Sequence, residues 1–359
     1  MYLYRVSGGG VRSGEGGIEM KEFFEGKKML VTGGTGTLGK EIVRQLLKFD
    51  PTVVRVFSRD EEKQFEMRQE FREDKRVRFL IGDIRDAQRI AYAIRDIDII
   101  YHTAALKHVI ACEYNPFEAL KTNLIGTQNV IEAALEEGVD RVILTSTDKA
   151  TNPCNTMGVS KLFAERLFTA ANYSKGKYKT IFSTVRFGNV MGSRGSAIPL
   201  FKKQIEKGGP VTLTSPEMTR FVMSIQQSID LVFKATELAQ GGEVFILKMS
   251  TLRTGDLVEV LISELAPRFG YKPEDIKVES IGIQPGEKIY EELMTEEEVT
   301  RAIELEEMFV LLPQMKELFV KEYRYPNPKK LKLGRYTSEN NTCLNKEEIK
   351  EMLVKEGLI

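Results

Sequence analysis

Short runs of β-branched residues alternate with segments of helical spacing through the first half of the chain. Lys28–Thr32 predicts a first strand, and the apolar positions of Leu38–Leu47 predict the helix after it. Val53–Phe57 predicts a second strand, followed by a charged, solvent-facing helix over Asp60–Phe71. Val77–Ile81, Ile97–Tyr101 and Val142–Thr145 continue the series, and Thr180–Arg186 extends it. Between the fourth and fifth strands, Pro116–Glu136 has helical spacing, with Asn123 inside it. Six strands in this rhythm predict βαβ units and an α/β fold built on a doubly wound parallel sheet.

After Asn189 the rhythm loosens. Helical segments at Pro199–Lys207, Ile225–Leu238 and Thr254–Leu265 are separated by loops containing glycine and proline, and by short strands such as Val244–Lys248. Lys346–Val354 reads as a final amphipathic helix, with Asn345 as its N-cap and Glu348 at the third helical position. The predicted organisation is a glycine-rich flexible leader over residues 1–26 and a nucleotide-binding domain over 27–189. A smaller substrate-binding lobe over 190–359, interwoven with the sheet, completes it.

Composition narrows the function classes. Lysine plus arginine and aspartate plus glutamate each number 52, so no global field favours nucleic acid or an acidic membrane. No apolar run approaches the roughly 18 residues needed to span a bilayer. Cys112, Cys154 and Cys343 lack metal-ligand spacing and suit a reducing cytoplasm. His102 and His108 stand at no zinc-like interval from a cysteine or from each other, so no metal site is expected.

Candidate chemistry begins at the first strand's end. Gly33, Gly36 and Gly39 form G-x-x-G-x-x-G, with Thr35, Thr37 and Leu38 inside the turn. Between a strand and a helix, such a turn lets the backbone approach a pyrophosphate and faces it with a helix N-terminus, as in a Rossmann-like fold. Ser58-Arg59-Asp60 closes the second strand. An acidic residue there suits the ribose 2′-hydroxyl of NAD, whereas Arg59 suits the 2′-phosphate of NADP and tilts the expectation to NADP. Asp83 and Ile84 close the third strand, within reach of an adenine edge. Ala104 and Ala105 follow the fourth, where small residues let a dinucleotide lie against the strand ends.

The fifth strand runs into Thr147-Asp148-Lys149, with Met157 and Lys161 downstream. This arrangement resembles the short-chain dehydrogenases/reductases, which place a catalytic Ser/Thr and a Tyr-x-x-x-Lys pair here; the lysine is present and the tyrosine is a methionine. A thioether neither takes nor gives a proton. The resemblance sharpens along Ala104–Val109, Ser146–Ala150, Asn155–Lys161, Arg186–Ser196, Met218–Phe221 and Pro285–Lys288. These segments resemble the extended members of that family, in particular the UDP-N-acetylglucosamine 4,6-dehydratases of polysaccharide and glycan biosynthesis, a branch with both Tyr and Met variants.

The resemblance implies transient oxidation at C4 of the sugar, which acidifies the C5 hydrogen, followed by loss of the C6 hydroxyl and return of hydride to C6. It implies Asp148 as the acid at the C6 hydroxyl and Lys149 as the base at C5, Lys149 being kept largely neutral by burial or by Lys161. Thr147 orients the C4 hydroxyl, whose proton goes to Asp148 or to a water near Lys161. Lys161 holds the nicotinamide ribose, with support from Asn123. Asn189, Arg194, Arg220, Glu287, Lys288 and Lys107 are the expected substrate contacts, Lys107 also serving the cofactor side. Gln284 replaces the arginine that relatives often carry before Pro-Gly-Glu-Lys.

The expected substrate is a UDP-sugar, with GDP- or dTDP-linked sugars and the C5 stereochemistry left open, and the expected assembly is a homo-oligomer. An epimerase acting at C4, or at C3 and C5, is the second enzyme reading. A non-catalytic dinucleotide-binding module is the third.

Overall fold

The computed structural model describes residues 15–315, 322–331 and 334–359, with side chains described from Met20 onward. Six parallel strands come first: β1 Lys28–Thr32, β2 Val53–Ser58, β3 Val77–Ile81, β4 Ile99–His102, β5 Arg141–Thr147 and β6 Ile181–Phe187. They lie in the order β3-β2-β1-β4-β5-β6, the doubly wound arrangement expected from the sequence. The strands inside the edge strand β3 are buried on both faces because alternate residues enter two different cores. Met29, Val31, Val54 and Val56 meet the helices Thr37–Leu46 and Ile225–Leu238. Leu30, Ile100, Val142 and Phe182 meet the helices Ala87–Ile94, Gly126–Glu136 and Thr156–Ser174.

Three differences from the sequence expectation bear on the site. The sheet does not end at β6. Val244–Leu247 adds in parallel, and Met308–Leu311, Ala302–Glu304 and Lys329–Lys330 follow antiparallel, giving ten strands. The C-terminal half therefore supplies one whole edge of the large sheet. A separate core lies beneath the helices Ala197–Glu206, Thr254–Leu265 and Lys346–Lys355, containing Ile205, Leu261 and Ile349.

The second difference is Thr156–Ser174, the long helix that carries Met157 and Lys161. It has no clean apolar stripe for the sequence to reveal, because its buried face includes Ser160, Lys161 and Glu165 beside Ala164 and Phe168. Facing it, the helical stretch from Pro116 to Glu136 is interrupted by a π turn over Leu120–Ile125 that holds Asn123.

The third concerns the leader. Residues 1–14 lie outside the described residues, and Glu15–Phe24, within the stretch read as a leader, is helical. Phe24 is fully buried and packs against Phe49 and Phe233, so apolar burial anchors this end of the chain.

Candidate active site

The site assembles where β1, β4 and β5 end on the same edge of the sheet. After β1 the chain turns through Gly33, whose φ of +65° and close approach to the backbone of Ala104 exclude a side chain; a Cβ there meets Ala104 Cα at 2.8 Å. A Cβ on Gly39 meets the Gly33 carbonyl oxygen at 2.6 Å, so the turn and the following helix pack without a gap. That helix, Thr37–Leu46, starts at Gly36 with no side-chain cap and no acidic residue in its first turn. Free N–H groups at an unshielded helix N-terminus, reached over a glycine backbone, fit a dinucleotide pyrophosphate. Thr35 is buried and shares a 2.8 Å hydrogen bond with Ser58 across the turn. Leu38 packs against the core.

At the end of β2, the Asp60 carboxylate caps the next helix by accepting from Lys63 N at 3.0 Å and also pairs with the Lys63 ammonium. Arg59 is more than half exposed, and its nearest carboxylate oxygen, Asp83 Oδ2, is 3.7 Å away. Asp83 is itself gripped by Arg85 at 2.7 Å. The acidic group is thus committed and the guanidinium is open, an arrangement suited to a phosphate. Ile84 is buried beneath Gly126. Ala104 and Ala105 are half-buried beside the turn.

The end of β5 holds the ionisable cluster. Thr147 Oγ1 donates to Asp148 Oδ1 at 2.8 Å, and Lys149 Nζ reaches the same oxygen at 3.0 Å. Lys149 Nζ also lies 3.2 Å from Glu291 Oε1, a residue that the sequence reading passed over. Arg220 Nε stands 3.7 Å from that Glu291 oxygen. Asp148 is fully buried and Glu291 nearly so, and each keeps one carboxylate oxygen, Oδ2 and Oε2 respectively, without a hydrogen-bond partner.

Burial alone would push Lys149 toward the neutral amine, but the carboxylates of Asp148 and Glu291 outweigh it and raise its pKa above that of an ordinary lysine. The expectation that burial or Lys161 keeps Lys149 largely neutral is corrected: the neighbouring Asp148 and Glu291 outweigh burial and favour its ammonium form. Burial drives Glu291 the other way, raising its pKa against the opposing pull of Lys149.

Lys161 donates to the Thr145 carbonyl at 2.7 Å, and burial pushes it down to about 8, only partly offset by Glu165. Met157 is buried against Cys112 and Ala119 and packs rather than facing the cluster. Asn123 bridges the chain after β4 to the long helix, accepting from Leu106 N at 2.7 Å and donating to Ser160 Oγ at 2.9 Å. It therefore fixes the residue beside Lys161 and does not bond Lys161 itself.

The expected substrate contacts divide into two groups. Lys107 donates from Nζ to the carbonyl of Arg194, while Arg194 N donates to Thr37 Oγ1 at 3.3 Å. This places the 194 loop against the glycine turn. Asn189 donates to the Phe221 carbonyl at 3.1 Å. Arg220 and Lys288, both expected substrate contacts, are hydrogen-bonded to backbone carbonyls of the chain. Arg220 donates to the carbonyls of Thr219, Lys288 and Ile289, and Lys288 to those of Thr151 and Asn152. Glu287 accepts from Thr214 at 2.8 Å. The last three contacts brace the 284–291 loop over the cluster, with Gln284 turned onto its own loop's carbonyls.

A doubly wound sheet with a glycine cradle after β1 and an acid–base cluster after β5 defines the extended short-chain dehydrogenase/reductase class, whose members use a nicotinamide dinucleotide. Within it, the chain belongs to the polysaccharide biosynthesis protein family, which matches residues 29–313, and to the nucleotide-sugar 4,6-dehydratase/epimerase superfamily.

An uncharacterised membrane protein of Methanocaldococcus jannaschii is 55% identical over 335 residues, covering 93% of this chain and 97% of that protein. An inverting UDP-N-acetylglucosamine 4,6-dehydratase of Campylobacter jejuni is 42% identical, with 82% and 85% covered. A UDP-glucose 4-epimerase of Rickettsia bellii is 41% identical, with 92% and 96% covered. Among solved structures, Pen from Bacillus thuringiensis superimposes with a TM-score of 0.88 at 47% identity, covering 94% of this chain and 99% of that one. No helix among the described residues is long and apolar enough to cross a membrane.

Proposed function

We propose that this chain is an NADP-dependent UDP-N-acetylglucosamine 4,6-dehydratase, a hydro-lyase giving a UDP-4-keto-6-deoxy-HexNAc for surface polysaccharide or glycan biosynthesis. The observation that carries this reading is the Thr147–Asp148–Lys149 cluster at the end of β5, with Asp148 fully buried and Lys149 held against it. Elimination across C5–C6 needs a proton acceptor and a proton donor together at one sugar ring. This cluster places Asp148 as the donor beside Lys149, which becomes the acceptor once it gives up its own proton. The Campylobacter jejuni relative, named for that reaction, supports the same conclusion.

When bound, the dinucleotide supplies reversible hydride transfer at C4 and C6. The glycine turn and the N-terminus of Thr37–Leu46 would hold its pyrophosphate. The exposed Arg59, with Asp60 tied up as a helix cap, supports NADP over NAD. Lys161 supplies positive charge next to the nicotinamide ribose. Thr147 orients the C4 hydroxyl and, through its hydrogen bond, couples it to Asp148, the acid toward the C6 hydroxyl. Lys107 and the 194 loop border the side where a UDP-sugar meets the cofactor.

The test is incubation of the purified protein with UDP-N-acetylglucosamine and NADP⁺, with the product read by mass spectrometry and NMR. A product lighter by one water supports the dehydratase, and NMR reads its C5 configuration. Asp148→Asn and Lys149→Ala should each lower kcat by on the order of 10²–10⁴. Full turnover in both would remove these groups from the mechanism.

The Rickettsia bellii relative gives the second reading, a nucleotide-sugar 4-epimerase. It is favoured instead by an unchanged mass with altered stereochemistry. Epimerisation at C4 has no use for an acid at C6, so the buried Asp148 argues for the elimination. We also infer a homo-oligomer. Ile110, Tyr114 and Phe117 are exposed at 70%, 88% and 75% on one side of the molecule, with Phe163 exposed on the helix packed against them, which supports a covered face.

A further inference from the structure

Lys149 cannot act as a base from the state in which the fold holds it. Its ammonium lies 3.0 Å from Asp148 Oδ1 and 3.2 Å from Glu291 Oε1, and both carboxylates are buried. An amine able to take the C5 proton appears only if one of these neighbours first takes a proton from the ammonium.

We propose that Glu291 is that acceptor, a positioning residue that primes Lys149 for each turnover. The inference rests on the dehydratase reading given above.

The geometry distinguishes Glu291 from Asp148. Asp148 accepts from Thr147 as well as from Lys149, which ties it to the substrate side of the cluster. Glu291 comes from the opposite side, from the loop that precedes the strand Glu292–Met294. Its backbone is fixed by Ser338, whose Oγ accepts from Glu291 N at 2.9 Å and whose N donates to the Glu291 carbonyl at 2.9 Å. Its side chain is held only by cations, Lys149 at 3.2 Å and Arg220 at 3.7 Å, and its Oε2 is buried without a partner. A buried carboxylate oxygen with spare capacity is a place where a proton can rest. The charged groups that face it are Asp148 and Lys149, from the turn after β5, and Arg220, from the strand Thr219–Met223. Burial, which dominates, and the Asp148 charge favour its protonated form; Lys149 and Arg220 favour the anion.

The proton balance closes within the cluster. Glu291 takes one proton from the Lys149 ammonium, leaving a neutral acid and a neutral amine. The amine lone pair takes the C5 proton, the C5–H electron pair becomes the C5–C6 double bond, and the C6–O bond breaks. Lys149, again an ammonium, passes a proton to Asp148, which delivers it to the departing hydroxyl as water. Glu291 then returns its proton to Lys149. Within the elimination one proton leaves C5 and one joins the hydroxyl. Over the turnover the proton released by the C4 hydroxyl on oxidation balances the one C5 takes up when hydride reaches C6, so the cluster ends as it began.

The experiment compares the full-length wild-type enzyme with Glu291→Gln and Glu291→Asp, using UDP-N-acetylglucosamine and NADP⁺. It reads kcat and KM across pH, with Tm as the check on folding. For the wild type, kcat should fall on the acid side as Glu291 becomes protonated before it can accept from Lys149. Glu291→Gln should fold with nearly unchanged Tm, keep KM within a factor of about three and lose kcat by on the order of 10²–10³. Its remaining activity should lack that acid limb. Glu291→Asp, which restores a carboxylate, should recover part of kcat and keep the limb. A Gln variant with wild-type kcat overturns the proposal, and so does one whose reduced kcat retains the acid limb. A wild-type enzyme that makes no dehydrated product defeats the dehydratase reading itself and this inference with it. The two failures are separated by the wild-type product alone.

Discussion

Lys161 shows how far a buried lysine can be moved without an adjacent anion in direct contact. Its ammonium has a backbone carbonyl as partner, and burial brings its pKa down from 10.5 to about 8. The unfolded chain therefore holds a proton on this group between pH 8 and 10.5 that the folded chain has released. Stability gains with pH in that window, and below pH 8 the folded state carries the full cost of the charge, about 3 kcal/mol as an upper figure. Lys161→Met removes the titration. In the cofactor-free protein, its Tm relative to wild type should be highest below pH 8 and decline steadily toward pH 10.5. A difference independent of pH would show that Lys161 titrates normally. Lys149 and Lys161 stand a few turns apart in sequence yet have opposite shifts, because only Lys149 has two carboxylates in contact. That contrast explains what could be read in advance. Thr147, Asp148, Lys149 and Lys161 were legible because they lie on one short stretch with recognisable spacing. The charge state of Lys149 was not, since it depends on Glu291, which arrives from a distant loop. The available signal was the acidic pair Glu291-Glu292 set before the apolar Leu293-Met294, a poor place for carboxylates unless they have buried partners.

At the scale of elements, the site depends on how the end of β5 is fixed. Arg186 on β6 is 1% exposed and spans two acidic residues: Glu165 on the long helix at 2.6 Å and Glu298 at 2.9 Å. Glu165 also accepts from Ser146, next to Thr147, so this network connects the C-terminal segment to the strand that ends in the Thr147–Asp148–Lys149 cluster. Removing the cation leaves two buried carboxylates uncompensated. Arg186→Met should cost roughly 3–5 kcal/mol, a fall in Tm on the order of 10 °C, whereas Glu298→Gln, which still accepts a hydrogen bond, should cost clearly less. Equal losses in thermal denaturation would contradict this account. The inner parallel strands were legible because each is a short apolar run buried on both faces, and the edge strand Val77–Ile81 because its β-branched and apolar residues repeat the rhythm. Val244–Leu247 was also readable as a strand, but its place beside β6 was not, because pairing across sixty residues leaves no local pattern. The long helix escaped for a related reason: a buried face made of Ser160, Lys161 and Glu165 looks polar until its partners are known.

For the whole molecule, the face formed by Val109–Tyr114, Pro116–Ile125 and the outer side of Thr156–Ser174 is the one the proposed homo-oligomer would cover. Ile110, Tyr114, Phe117, Val159 and Phe163 are all at least half exposed there. Single exposed apolar residues are ordinary, but a cluster containing three aromatic rings is costly to leave in water. The chain's charges balance at 52 of each sign, so no net repulsion opposes association of copies. The face also lies behind Asn123 and Met157, so a partner seated on it would press on the helix that carries Lys161. Tyr114→Asp combined with Phe117→Asp should therefore lower the mass seen by sedimentation to that of a smaller assembly. Tm at low protein concentration should change little, because both side chains are already exposed within one chain. If assembly stiffens the long helix, kcat should fall in the same variant in proportion to the dissociated fraction and recover as protein concentration rises. An unchanged sedimentation profile would mean that this face is not where copies meet.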